Sequence, residues 1–359
     1  MEQPAPRRVL IAHPFALGDV LSALPIAGML KRRWPGVEVL FVGTAYSRPL
    51  IECCVHVDRY LELASLIDTP DALAVLGADV FLNPYPEKRL VKLAWQAGIP
   101  IRVGNLRRFR TIRYCNRLVS YSRAHSHLHT VYINLQCLKP LGFNVSPATA
   151  ELDRLIGLRA PPLDDARLAA VLAPDRFNLI LHPKSGGEGR EWPLHSYLDL
   201  ARRLPRQRFR IILTGTAAER AVVEQQCPEL LAPELTTSLM GQMSLAQFIA
   251  FVGRADGFIA SGTGPLHIAA ALGIRALGIY PPMRDIDPLR WAPVGPRAEF
   301  LCLPSCIQAA AGACSAQTMG PPCACTIAIR AEQVADRVLA WPADAPAPLE
   351  PPDVADVPH

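Results

Sequence analysis

Short apolar runs alternate with segments of helical spacing along nearly the whole chain. Arg8–Ala12, Val37–Val42 and Asp79–Leu82 read as buried strands, and Asp19–Arg33, between the first two, has helical spacing. The pattern breaks at the proline- and alanine-rich stretch Gly157–Pro174 and then restarts. Strand Asn178–Leu181, helix Pro193–Leu204, strand Arg208–Leu213 and helix Ala218–Gln226 come after it. Helix Leu245–Val252, strand Gly257–Ala260, helix Pro265–Leu272 and strand Ala276–Tyr280 come next. Strand–helix alternation of this kind predicts an α/β fold with parallel sheets covered on both faces. Two such halves predict a central cleft, with ligands held beyond the carboxyl ends of strands. The last nineteen residues hold six prolines and no periodic apolar face, so 341–359 is expected to be a disordered tail.

Composition supports this division. A chain of 359 residues exceeds what one core usually needs, and half of it is hydrophobic with 19% charged. The expected domains are 1–158 and 159–340. The formal net charge of +5, spread over both halves, permits an acidic partner without demanding one. No apolar run approaches the ~20 residues that span a bilayer. Arg7-Arg8 followed by VLIAHPFAL imitates a signal peptide, but His13, Pro14 and Asp19 interrupt it, so the expectation is a cytoplasmic protein. Ten cysteines fit that compartment as thiols. Five of them (Cys302, Cys306, Cys314, Cys323 and Cys325) lack the paired C-x2-C knuckles of a structural zinc site, and free thiols are expected there.

Three strand-to-helix loops in the second half suit anions. Ser261-Gly262-Thr263-Gly264-Pro265-Leu266-His267 opens a helix with small residues and with Pro265 suited to its first position. His182–Pro193 contains Lys184, Ser185 and Arg190 among three glycines, again before a helix. Leu213–Glu219 places Glu219 in a first helical turn, where it either caps the helix or bonds a ribose hydroxyl. The His182–Pro193 loop is not a P-loop, and the first turn has no G-x-G-x-x-G, which argues against a dinucleotide dehydrogenase. Together the loops describe a nucleotide-diphosphate pocket.

Asp19, in FALGDVLSALP after the first strand, belongs to the opposite half. A lone carboxylate facing a bound nucleotide-sugar can take the proton of an acceptor hydroxyl as that oxygen attacks the anomeric carbon. The helix dipole is expected to favour its ionised form. Asp285-Ile286-Asp287 has the D-x-D spacing that holds a divalent cation in some transferases, but beside Pro288 it reads as turn chemistry, so no metal or cofactor is expected. Arginine is concentrated between Arg102 and Arg123, and Arg107, Arg108, Arg110 and Arg113 within that basic strip suit a phosphorylated or carboxylated acceptor at a membrane surface. No nucleic-acid module accompanies it.

The pieces GDVLSALP, HPKSGGEGREWP and ASGTGPLHIAAALG, in this order, make the chain resemble glycosyltransferase family 9, the ADP-heptose:lipopolysaccharide heptosyltransferases. The resemblance implies a GT-B fold of two Rossmann-like domains and inverting sugar transfer from ADP-heptose to a lipopolysaccharide core at the inner face of the plasma membrane. It makes Asp19 the catalytic residue, Arg190 a donor-phosphate contact, Glu219 a ribose contact, and Thr263, Gly264 and His267 the diphosphate loop. The chain departs from the family where it has Gly262 in place of the aspartate of a D-T-G or D-S-G. A nucleotide-sugar 2-epimerase and a non-catalytic nucleotide-sugar-binding protein are the rival readings. The former needs more than one carboxylate at the sugar, and Asp19 stands alone.

Overall fold

The computed structural model describes residues 5–69, 71–85, 87–123, 126–187, 189–283, 285–306 and 321–342. The first half is a parallel sheet of β1 (Arg8–Ala12), β2 (Glu38–Gly43), β3 (Arg59–Glu62), β4 (Val80–Leu82), β5 (Ile101–Asn105) and β6 (Arg117–Val119). The second is a parallel sheet of β7 (Phe177–His182), β8 (Phe209–Leu213), β9 (Thr237–Ser238), β10 (Gly257–Ser261), β11 (Arg275–Tyr280) and β12 (Ala298–Cys302).

The sheets run β3-β2-β1-β4-β5-β6 and β12-β11-β10-β7-β8-β9, so the second repeats the six-stranded parallel build of the first. In each, the order reverses beside the first strand, where Val9 pairs with both Val39 and Val80, and Leu179 with both Gly257 and Ile211. Crossovers leave on opposite faces at that point and open a crevice at the carboxyl ends. The loops that leave β1, β7 and β10 therefore line the cleft.

The strands that the sequence pattern missed are short or lie toward sheet edges. β3 reads RYLE with no fully buried residue, β9 has two residues, and β12 is only part-buried. Such strands lack the continuous apolar run that marks a strand buried on both faces.

Three apolar clusters form the core. One covers the outer face of the first sheet through Leu10, Leu40, Phe81 and Leu90. Another covers the outer face of the second through Leu179, Trp192, Tyr197, Leu277 and Val334. The third is continuous across the halves, from Val9, Val20 and Leu24 to Phe248, Phe258 and Leu266. The halves are thus packed together on one apolar seam. Trp341, expected in the disordered tail, is instead buried, lies 5.9 Å from the Phe177 ring and donates to Glu299 Oε1 at 2.9 Å. The rest of that segment, 343–359, lies outside the described residues, as does Cys314.

Candidate active site

The helix after β1, α1 (Leu17–Arg33), begins two residues before Asp19, with Ala16 as a cap that offers no side-chain acceptor. Asp19 is therefore a first-turn residue and not the cap. Across the cleft, the helix Gly264–Ala271 starts after Thr263, whose hydroxyl makes no capping bond, and Pro265 is its second residue and not its first. The two helix starts touch: a Cβ built on Gly264 would lie 2.9 Å from Leu17 Cβ. Only glycine allows that approach. Two helix N-termini, each with partial positive charge, thus meet at one point.

Asp19 is half-buried, and among the described residues nothing hydrogen bonds to its carboxylate. Burial pushes its pKa above the ordinary carboxylate range, opposed by the Arg123 guanidinium. Of these two opposed causes desolvation is the larger. The result is a carboxylate that holds a proton more tightly than a solvated one.

Arg123 follows β6, and the expected basic strip ends on it. Its guanidinium lies 4.7 Å over the Tyr85 ring and donates to Asn134 Oδ1. Asn134 Nδ2 donates to Ser22 Oγ at 2.9 Å, and Ser22 Oγ donates to the Asp19 carbonyl at 2.7 Å. This relay fixes the first turn of α1 relative to Arg123. Sequence reasoning saw the arginine but not the link, because the two residues are far apart in the chain. His13, fully buried against Phe15 and Tyr85, has its pKa lowered to about 3 by burial, with Arg123 adding to the effect, so it is neutral. Two bonds tie the halves beside this relay: His129 Nε2 meets the Ala292 carbonyl at 2.9 Å, and Thr130 Oγ1 donates to the Arg290 carbonyl at 3.1 Å.

The loop after β7 is organised by Glu191, which the sequence pattern does not single out. This buried carboxylate takes an ion pair from Lys184 Nζ, the Ser185 N–H at 2.9 Å and the Ser185 hydroxyl at 3.1 Å. Lys184 and Ser185 are thus held within the loop. Arg190 is buried, with Nη1 3.5 Å from the Pro321 carbonyl. Glu219 forms a capping box with Thr216: its Oε2 accepts from Thr216 N at 2.7 Å, and its own N–H donates to Thr216 Oγ1 at 3.2 Å. Its other oxygen accepts from Gly186 N at 3.0 Å, so this carboxylate also ties two of the three loops together.

His267 is buried in the helix Gly264–Ala271, and burial lowers its pKa to about 3, with His129 adding to the shift. It is a neutral imidazole and offers hydrogen bonds without charge. Asp287 caps the helix Pro288–Trp291 by accepting from Arg290 N at 3.1 Å, and the Asp285 carbonyl accepts from Trp291 Nε1 at 3.0 Å, as turn chemistry predicts. Arg107, Arg108 and Arg113 are exposed at and beyond the carboxyl end of β5, outside the relay around Asp19. Arg110 lies in the same short helix, Phe109–Tyr114.

Residues 91–317 match the model of glycosyltransferase family 9 (heptosyltransferase). The chain belongs to that family. It is 23% identical over 306 residues to the lipopolysaccharide core heptosyltransferase OpsX of Haemophilus influenzae, covering 80% of this chain and 82% of that one. Its fold matches a family 9 glycosyltransferase of Veillonella parvula with a TM-score of 0.74, at 18% identity over 94% of this chain and 98% of that one. It matches the E. coli heptosyltransferase WaaC, solved with ADP, with a TM-score of 0.68, at 16% identity over 92% and 99%. The architecture is therefore GT-B, the chain is a glycosyltransferase of the heptosyltransferase family, and the epimerase reading is not favoured. This family 9 chain also accounts physically for its glycine at 262. A Cβ there would lie 2.5 Å from the Tyr280 ring, which is fully buried and donates its hydroxyl to the Trp291 carbonyl at 2.7 Å.

Proposed function

We propose that this glycosyltransferase moves heptose from ADP-heptose to a hydroxyl of a lipopolysaccharide core, with inversion and without a metal, and that Asp19 is its general base. One observation carries the reading. Asp19 is the carboxylate at the meeting of the two helix starts, held by no hydrogen bond among the described residues and raised toward neutrality by burial. A group in that state is available to accept a proton.

In the proposed step the acceptor O–H gives its proton to Asp19 as its oxygen forms a bond to the anomeric carbon. The bond from that carbon to the diphosphate breaks on the opposite face, and the diphosphate leaves with the electron pair. Its charge meets the N-terminus of the helix Gly264–Ala271, with Thr263 and Gly264 at that end and Lys184, Ser185 and Arg190 in the neighbouring loop. Glu219 has lone pairs beyond its capping bonds for the ribose hydroxyls, since a carboxylate accepts about four hydrogen bonds. His267, neutral, orients a phosphate oxygen or a sugar hydroxyl. Arg107, Arg108, Arg110 and Arg113 flank the path of an anionic acceptor. The name of the Haemophilus relative supports the core acceptor, and the ADP with which the E. coli neighbour was solved supports the donor base.

Asp19→Asn tests the reading. Transfer is expected to fall by about a thousandfold, the scale of a lost general base, with ADP affinity by calorimetry nearly unchanged. Chelation with EDTA leaves the wild-type rate where it was. Undiminished transfer by the variant removes Asp19 from the mechanism.

A further inference from the structure

The chain's positive charge is segregated. From Lys88 to Ala150 there are eleven Lys and Arg residues and not one Asp or Glu. Outside that stretch, 26 Lys and Arg face 32 Asp and Glu. The expectation of a charge spread over both halves is thereby corrected: the excess is confined to one stretch of the first domain.

The same stretch exposes apolar side chains. Phe109 is 80% exposed, Trp95 50%, Ile112 47% and Leu106 45%. Trp95 is on the helix Lys88–Gln96, and Phe109 and Ile112, three apart, share one side of the short helix Phe109–Tyr114, which packs beside it. The Trp95 and Tyr114 rings lie 5.5 Å apart across that contact. The same two helices and the loop before the second carry the exposed cations Lys88, Lys92, Arg107, Arg108 and Arg113. Glu87, just outside the stretch, caps the first of these helices and pairs with Arg89.

We propose that this face docks the enzyme on an anionic phospholipid bilayer, with Phe109 and Ile112 entering the headgroup boundary and the arginines meeting phosphate. Basic residues mixed with protruding aromatic and aliphatic side chains are the composition that interfacial binding requires, each signal too weak alone. A nucleic acid would answer the charge but gains nothing from Ile112 or Leu106. A second copy of the chain would bring the same charge to the same face. Among the described residues no helix is long and apolar enough to cross a membrane, so attachment of this kind is peripheral. The Phe109 helix starts just beyond the carboxyl end of β5, on the sheet edge that also presents Asp19, so docking sets the cleft mouth beside the bilayer. A lipid-borne acceptor gives this face its purpose, but the charge segregation and the exposed rings stand without it.

Co-sedimentation of the full chain with vesicles tests it. Strong binding is expected to phosphatidylglycerol–phosphatidylethanolamine vesicles and little to phosphatidylcholine. Replacing Arg107 or Arg113 with alanine should weaken binding about fivefold each. The double variant Phe109→Ser, Ile112→Ser should weaken it at least about tenfold and leave a remainder abolished by salt. Melting temperature and ADP affinity of each variant report whether it is folded. No binding to the anionic vesicles, or binding unmoved by the serine pair, overturns the proposal. So does release of the vesicles by duplex DNA at matching stoichiometry, or a concentration-dependent dimer that the serine pair abolishes. Asp19→Asn should bind vesicles like wild type, so the docking face and the catalytic assignment fail separately.

Discussion

The two halves treat their carboxylates in opposite ways. In the second half, Glu191 is saturated by Lys184 and by the N–H and hydroxyl of Ser185, and Glu219 is engaged by Thr216 and Gly186. In the first half, Asp19 sits in a helix start with no donor on its oxygens among the described residues, and burial raises its pKa against the pull of Arg123. A carboxylate fully engaged by fixed donors is a structural brace, whereas one left without them keeps its lone pairs for a proton. The same chemical group thus braces loops in one half and keeps its lone pairs for a proton in the other.

After the loss expected of Asp19→Asn, the next largest effect falls on Glu191. Glu191→Ala strands Lys184 and the Ser185 N–H in a buried loop, and should lower stability by about 2 kcal/mol in denaturant titration. Donor KM should rise with it, because the loop loses its shape. A variant as stable as wild type would mean that Glu191 braces nothing. Arg123→Met sharpens the other side. Arg123 lowers the Asp19 pKa, so its removal raises that value further and less of the base is ionised at low pH. The acid limb of the rate profile should move to higher pH, with a lower rate below the limb. Recovery toward the wild-type rate at high pH separates this from general damage. An unmoved limb breaks the link between Arg123 and Asp19.

Much of this division was legible in the chain. The apolar strands β1, β7, β10 and β11 announce themselves because both faces are buried, and the loops after the first three carry Asp19, Lys184 and Gly264. The capping role of Glu219 was readable from T-x-x-E at a helix start. What could not be read was distance in space. Arg123 reaches Asp19 only because β6 and β1 end on the same edge of one sheet, and the Asn134–Ser22 bond joins side chains 112 positions apart. Glu191 gave no signal, since a glutamate two residues before a proline reads as solvated loop until its burial is known. The sign of the Asp19 shift was unreadable for the same reason: the dipole follows from position in a helix, but desolvation follows from packing.

Glu219 is where brace and ligand contact are hardest to tell apart, and it carries the smallest expected effect. Glu219→Ala removes the capping box, at a cost of about 1 kcal/mol, and frees Gly186 N–H. A brace alone predicts a modest rise in donor KM from a looser loop, with kcat unchanged, and an equal loss for every adenine nucleotide. A ribose contact predicts more. In wild type an ADP analogue lacking the ribose hydroxyls should bind more weakly than ADP, and in Glu219→Ala the difference should vanish, because the partner of the hydroxyl is gone. Calorimetry on the two ligands and two proteins closes that cycle. A difference that survives in the variant makes Glu219 a brace like Glu191.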